Sequence, residues 1–183
     1  MTSAEDIIRR VVGSLDQAGF AFMLVGSFSS NFYGIPRSTQ DVDLVVEVTP
    51  DRPITRLTSY LDEDIHLQPQ QSFELFTATT KHELTVVDSA FRVELFHLSD
   101  DEYDQQRFTR RSQVELFGVP VWLPTAEDVI VTKLRWLRRK DEDDIRNILA
   151  VRIDQLDWEY MRSWCERHQT THDLEKLIAE VKD

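Results

Sequence analysis

The stretch from Leu24 to Val48, LVGSFSSNFYGIPRSTQDVDLVVEV, constrains this chain more than any other. A short apolar run ends in Gly26-Ser27, a short amphipathic segment follows, Gly34 to Pro36 reads as a turn, and a second apolar run carries Asp41 and Asp43. Residues two apart in a strand project to the same face, so Asp41 and Asp43 share one face while Val42, Leu44, Val46 and Val48 share the other. Such a strand buries one face and leaves two neighbouring carboxylates on the opposite one. That pair suits a divalent metal, because magnesium prefers carboxylate oxygen and commonly shares its coordination with phosphates. Gly-Ser at a strand-to-helix turn adds unpaired backbone N–H groups and a hydroxyl at a helix N-terminus, where anions are favoured. Taken singly, each half also reads as plain structure: a tight turn, or an exposed strand edge.

The rest of the chain supplies helices and strands around this unit. Ser3 to Ala18 places Ile7, Ile8, Val11, Val12 and Leu15 at helical spacing, with Ser3 as N-cap and Gly19 at the C-terminal end. Phe20 to Val25 is apolar throughout, which predicts a strand buried on both faces. After Pro50, Asp51 to Asp62 is expected as a helix striped by Ile54, Leu57 and Leu61. Gln70 to Thr80 is expected as a shorter helix or turn anchored by Phe73, Leu75 and Phe76. From Leu84 the period becomes two: Leu84 to Val87, a turn at Asp88-Ser89-Ala90, and Phe91 to Leu98 predict a hairpin. Glu94 is a charge on that otherwise largely apolar second strand, facing either a site or solvent. Asp100 to Arg111 reads as a polar surface helix, and Ser112 to Leu123 as a second hairpin around Gly118, for a sheet of about five or six strands.

Pro124-Thr125-Ala126-Glu127-Asp128 opens a helix, with threonine at the N-cap and acids in the first turn. Ala126, Ile130, Leu134 and Leu137 form its inner stripe. Lys133 sits on the edge of that stripe, where a lysine either snorkels to water or is held against a buried anion. Ile145 and Ile148, four and seven positions after Asp141, place Asp141 on the inward face of the next helix. Arg135, Arg138, Arg139, Lys140 and Arg146 make a dense basic patch. It either steers a nucleotide or nucleic acid or is a solvated face with pairs such as Arg138 to Glu142. Asp157 to Arg167 and Thr171 to Val181 end the chain as two helices. The fold class expected is α+β: a mixed or antiparallel sheet flanked by helices, with a helical C-terminal part. Residues 1–123 would form the core and 124–183 helices packed on it, as one compact unit.

Composition narrows the partners. The chain has 183 residues, 41% of them hydrophobic, enough for a sizeable core. Its net charge of -12 opposes non-specific binding of nucleic acid. Cys165 is the only cysteine, which excludes an internal disulfide and a multi-cysteine zinc site and leaves it a small core residue. The five histidines have no metal spacing. No run approaches the roughly 18 apolar residues of a membrane span, and the N-terminus lacks a signal-peptide core. A cytoplasmic protein with no membrane partner is expected.

Gly26-Ser27, thirteen further residues and Asp41-Val42-Asp43 together resemble the signature of the DNA polymerase β-like nucleotidyltransferase superfamily. Arg37-Ser-Thr-Gln-Asp-Val-Asp resembles its small bacterial AbiEii-like branch of toxin-antitoxin systems, as does Lys133-Leu134 followed by basic residues and Lys140-Asp141-x-x-Asp144-Ile145. The resemblance implies magnesium, or manganese in its place, held by Asp41, Asp43 and a third carboxylate. Glu94 matches that third position; Asp88 is the other candidate. It further implies that Gly26, Ser27 and Lys133 bind the phosphates of a nucleoside triphosphate, and that Asp141 or Asp144 helps form the site. Arg37, just ahead of the aspartates, either binds phosphate through its guanidinium or pairs with a nearby acid. The implied reaction moves a nucleoside monophosphate from the triphosphate to an acceptor, which is RNA, protein or a small molecule, with an antitoxin-like protein as a further partner. Two departures stand out: the helix after Gly-Ser lacks the arginine of relatives reading Gly-Ser-x-Ala-Arg-Gly, and Glu94 stands where Asp is commoner. The alternative is a catalytically inactive module, on the same fold, that senses nucleotide or binds protein.

Overall fold

The computed structural model describes residues 3–75 and 78–182. Helix α1 (Ala4–Gln17) starts where Ser3 accepts a hydrogen bond from the Asp6 amide, and its inner stripe of Ile7, Ile8, Val11 and Leu15 is wholly buried. That stripe lies on a sheet whose strands run in the order β1-β2-β6-β5-β3, with β4 also on β5. The members are β1 (Phe22–Val25), β2 (Asp41–Val46), β3 (Ile65–Leu67), β4 (Ser72–Glu74), β5 (Thr79–Val86) and β6 (Arg92–His97). β2 and β6 pair in parallel and the other neighbours are antiparallel, so the sheet is mixed. The fold is α+β, as expected.

β1 is buried on both faces because two clusters use it: Phe22 and Leu24 join the α1 core, while Met23 packs with Val45, Phe96 and Phe108. The hairpin of β5 and β6 forms as its alternating pattern predicts. The hairpin of β7 (Ser112–Leu116) and β8 (Val119–Leu123) also forms, yet as a separate two-stranded sheet beside β1. The six strands of the main sheet are completed instead by β3 and β4, two three-residue strands too short to show a period.

Two expected helices are corrected. Asp51 to Asp62 holds only a 3₁₀ helix, Ile54–Ser59, because Pro53 cannot continue a helix from its N-terminal side. Ile54 and Leu57, three apart and therefore aligned in a 3₁₀ turn, still bury. The segment expected as a shorter helix or turn over Gln70 to Thr80 instead holds edge strand β4 and the start of β5. Phe73 and Leu75 are 62% and 82% exposed, so they anchor nothing; Phe76 lies outside the described residues. Backbone pairing to β5, rather than a buried face, holds this strand. Helix α3 (Glu102–Arg110) is less of a surface helix than its polarity predicts, since Tyr103, Asp104, Arg107 and Phe108 are buried and the Tyr103 hydroxyl donates to the Asp128 carbonyl.

The C-terminal part is helical: α4 (Ala126–Trp136), α5 (Arg139–Arg152), α6 (Trp158–His168) and α7 (Thr171–Lys182). Thr125 caps α4 as expected, accepting from the Asp128 amide, and Cys165 is buried in the core these helices share with Tyr33 and Tyr103. Helix α2 (Gly26–Tyr33) bridges the two cores, with Phe28 in one and Tyr33 in the other. Its end passes very close to α5: a Cβ on Gly34 would lie 2.8 Å from backbone atoms of Asn147 and Ile148. Backbone cannot move aside as a side chain does, so Gly34→Ala is expected to destabilise the fold by about 1–3 kcal/mol. A denaturant titration showing no loss of stability would contradict this contact.

Candidate active site

The acidic site begins at the Asp41 end of β2, where the strand is exposed. Along that strand Val42, Leu44 and Val46 enter the α1 core, while Val45 is covered from the other side by Met23, Phe96 and Phe108. Asp41 and Asp43 precede Val45 on this second face; Asp41 is exposed and Asp43 partly buried. The parallel register sets Asp43 directly beside Glu94 on β6. Asp88, the other third-carboxylate candidate, is exposed in the β5–β6 turn and does not line this site.

Asp43 lies over the N-terminus of α2. Gly26, with φ of +64°, leaves a space there that a Cβ would fill at 2.1 Å from Asp43 Oδ2. Glycine is therefore required twice, for its backbone angle and for the carboxylate above it. No side chain caps this helix start: Val25 is the N-cap, and the Ser29 and Ser30 hydroxyls both donate back to the Gly26 carbonyl. Burial, then the neighbouring charges of Glu94 and Asp41, hold the Asp43 carboxyl up at about 6 against an ordinary 3.8, with Lys140 and Lys133 pulling the other way.

Gly26, Asp41, Asp43, Glu94, Lys133 and Asp141 line one cleft of about 210 Å³. Ser27 and Arg37 are not in that lining. The Ser27 hydroxyl accepts from Arg37 Nη2 at 2.9 Å, and the Arg37 guanidinium grips Asp144 through Nε at 2.7 Å and Nη2 at 3.0 Å. Of the two roles open to Arg37, the geometry displays the ion pair, with an acid 107 residues along the chain. Asn31 holds the loop in place, donating to the Arg37 carbonyl and accepting from its amide.

Lys133 is the buried-anion case, not the snorkel. Its Nζ donates to Asp144 Oδ2 at 2.7 Å and to Asp141 Oδ1 at 3.3 Å, all three side chains being almost wholly buried. Asp141 also accepts from the backbone and side chain of Arg138, which start α5. Burial alone would raise both aspartates. Arg138 and Lys133 outweigh it at Asp141, as Arg37 and Lys133 do at Asp144, and both carboxyls lie below their usual range. Arg138 pairs with Asp141 rather than Glu142, which meets Arg146 instead. The basic patch is thus largely neutralised, with Arg135 on Asp101 as well.

Lys140, read from the sequence only as part of the basic patch, lines the cleft and acts on Asp43 from the start of α5. One residue escaped the sequence reading: Lys81 on β5, which donates to Glu94 Oε1 at 2.7 Å. Period two on β5 could have placed Lys81 on a chosen face, but only strand order reveals that β5 lies next to β6.

The donors fit a magnesium ion. They are hard carboxylate oxygens, and burial together with the neighbouring charges of Glu94 and Asp41 raises Asp43, which a divalent cation would offset. Among the described residues no three His, Cys, Asp or Glu side chains converge as a finished metal cage. Magnesium does not need one, since it is commonly bound through one or two carboxylates, with water and substrate phosphates completing its shell.

Residues 4–180 match the family described as nucleotidyltransferase of unknown function (DUF6036). This chain belongs to that family. The match bears out the superfamily expected from Gly26-Ser27 and Asp41-x-Asp43, and does not extend to the AbiEii-like branch. Among solved structures the chain is similar to ANT(2'')-Ia in complex with adenylyl-2''-tobramycin, with 11% identity and a TM-score of 0.63 over 92% of this chain and 98% of that one. It is similar to an antigenic nucleotidyltransferase-like protein from Paracoccidioides brasiliensis, with 18% identity and a TM-score of 0.57 over 98% and 94%. It is also similar to the lincosamide antibiotic adenylyltransferase LnuA bound to lincomycin, with 10% identity and a TM-score of 0.55 over 82% and 98%. These identities carry the fold alone. No curated protein matches the sequence. Among the described residues no helix is long and apolar enough to cross a membrane.

Two outcomes are expected of this geometry. An acid whose pKa rises on folding contributes most to stability below its unfolded pKa, and that contribution is lost as pH rises through the folded value, here from 3.8 to about 6. Metal-free Asp43→Asn should therefore gain on wild type at pH 8, by up to about 3 kcal/mol, and match it at pH 4 or below; equal melting curves at both pH values would refute the crowding. Lys133→Met should cost roughly 3 kcal/mol or more in urea unfolding, since it strips a cation from two buried carboxylates.

Proposed function

We propose that this protein is a metal-dependent nucleotidyltransferase that moves a nucleoside monophosphate from a nucleoside triphosphate to a hydroxyl of a small molecule. The observation that carries it is the Asp43 carboxylate seated over Gly26 at the uncapped start of α2, with Glu94 next to it in register. Asp41 and Asp43 would hold the magnesium, which when bound supplies charge neutralisation for the triphosphate. The free N–H groups at the start of α2 would take phosphate oxygens, as an N-terminal helix end favours. Glu94 would be the third carboxylate, accepting the proton of the attacking hydroxyl or completing the metal site. The leaving group is pyrophosphate. Positioning and electrostatics, rather than covalent catalysis, would carry the rate.

Lys133, Asp141 and Arg37 serve this reading as supports. Their charges are already matched, so they set the shape of the phosphate end of the cleft, and Lys140 is the cation placed to meet phosphate there. A small acceptor is favoured over RNA by the size of the cleft and by the net charge of -12. The likeness in fold to adenylyltransferases whose structures hold adenylyl-2''-tobramycin or lincomycin points the same way. The narrower AbiEii-like reading, with an RNA or protein acceptor and an antitoxin-like partner, rests on the sequence motifs alone.

One observation favours the inactive, nucleotide-sensing alternative: Glu94 is occupied by Lys81. The two readings separate experimentally. Each of the four nucleoside triphosphates with magnesium is added to wild type and to Asp41→Asn, and the melting temperature is followed. At a hundredfold excess over Kd, binding adds about 2.7 kcal/mol, or several degrees in a chain of this size. A magnesium-dependent rise with one triphosphate, lost in Asp41→Asn, is the expected result, and its absence with all four rejects nucleotide binding. Release of pyrophosphate in the presence of small hydroxylated acceptors then marks an enzyme, whereas binding without turnover marks a sensor.

A further inference from the structure

The sheet face that carries Asp41, Asp43 and Glu94 continues onto β5 and β4, and it stays acidic. Glu83 stands opposite Glu94 in the β5–β6 register, and Glu74 lies on β4 opposite Thr79. Lys81 is set among these carboxylates. Its ammonium donates to Glu94 at 2.7 Å, is drawn electrostatically to Glu94, Glu74 and Glu83, and lies 5.7 Å from the centre of the Phe96 ring. Both side chains of the Lys81–Glu94 pair keep 23% of their surface exposed, and Glu94 lines the cleft.

Glu94 neighbours Asp43 on the adjacent strand, about 5 Å away across the ladder. The three carboxylates form no finished cage, and that of Glu94 is engaged by Lys81. We propose that Lys81 is a built-in counter-cation that competes with the divalent metal for Glu94. Glu74 and Glu83 then receive the lysine when Glu94 turns to the metal, so no charge is stranded by the exchange. With Lys81 on Glu94 two carboxylates remain for the metal, and with the lysine displaced there are three. This inference rests on the proposed nucleotidyltransferase function and deepens it, by naming what competes with the metal for its third carboxylate.

Mn²⁺ binding to the intact chain, without nucleotide and at constant pH, tests it through the loss of the free-ion electron paramagnetic resonance signal. Lys81→Met, or Lys81→Gln should the first variant fail to fold, is expected to bind Mn²⁺ about three- to fivefold more tightly than wild type, the equivalent of breaking one partly exposed ion pair. Lys81→Arg keeps the cation and should bind as wild type does. The gain should vanish when Glu94→Gln is added, because the released carboxylate is then missing. An unchanged or weaker affinity in Lys81→Met overturns the inference, and so does a gain that survives in the Glu94→Gln background, which would be a general field effect. Those results leave the proposed function standing. No Mn²⁺ uptake by wild type or any variant, even with a non-hydrolysable triphosphate, would instead defeat that function and this inference with it.

Discussion

The buried carboxylate of Asp144 is where the two parts of the chain are joined. It receives Lys133 from α4 and Arg37 from the loop that leads into β2, and Arg37 in turn holds Ser27 in the first turn of α2. One oxygen pair thereby ties the C-terminal helices to both halves of the Gly-Ser and Asp-x-Asp unit. A buried ion cluster of this kind adds little net stability over an apolar replacement, yet removing one member leaves charge uncompensated. Its value here is geometric: it fixes where the start of α2 points relative to the first residues of β2, and those two define the cleft.

Uneven cover of the sheet explains why the cleft is acidic. One face is packed against α1, and the residues that enter this core are apolar. On the other face Met23, Val45, Phe96 and Phe108 form a small apolar cluster. Beyond that small cluster the strand ends are open, and carboxylates can collect there without full burial. Asp43 is the most perturbed of them, seated between the helix start and Glu94, and its raised pKa records burial first and the neighbouring carboxylates second. Lys81 and Lys140 approach this group from opposite sides, one on the sheet and one on α5.

Parts of this design were legible in the residues and parts were not. Helix α1, the strand carrying Asp41 and Asp43, the β5–β6 hairpin and the capped start of α4 each follow from a period or a cap contained within a short window. The strand β4 did not, because Phe73 and Leu75 look like core anchors and yet are exposed on an edge held by backbone pairing. Nor did the separation of the β7–β8 hairpin from the main sheet, since alternation tells which face is apolar and nothing about which neighbour it meets. At the site, Glu94 stood out as a charge on an apolar strand and Asp141 by its inward position, whereas the roles given to them and to Lys133 came from the resemblance.

The sequence by itself determined the local units and the membership of the family: a Gly-Ser turn, two aspartates on one strand face, and a lysine and aspartates turned inward on two helices. Those depend on dihedral preference and on periods of 2 and 3.6, which act within a few residues. Only the tertiary structure decided the partners. That Arg37 is spent on Asp144 and Ser27, that Lys133 is buried between two aspartates, and that Lys81 rather than a metal-binding neighbour engages Glu94, all follow from strand order and helix packing. Electrostatic pairing depends on distance in space, and residues 107 apart in the chain can be 2.7 Å apart in the fold.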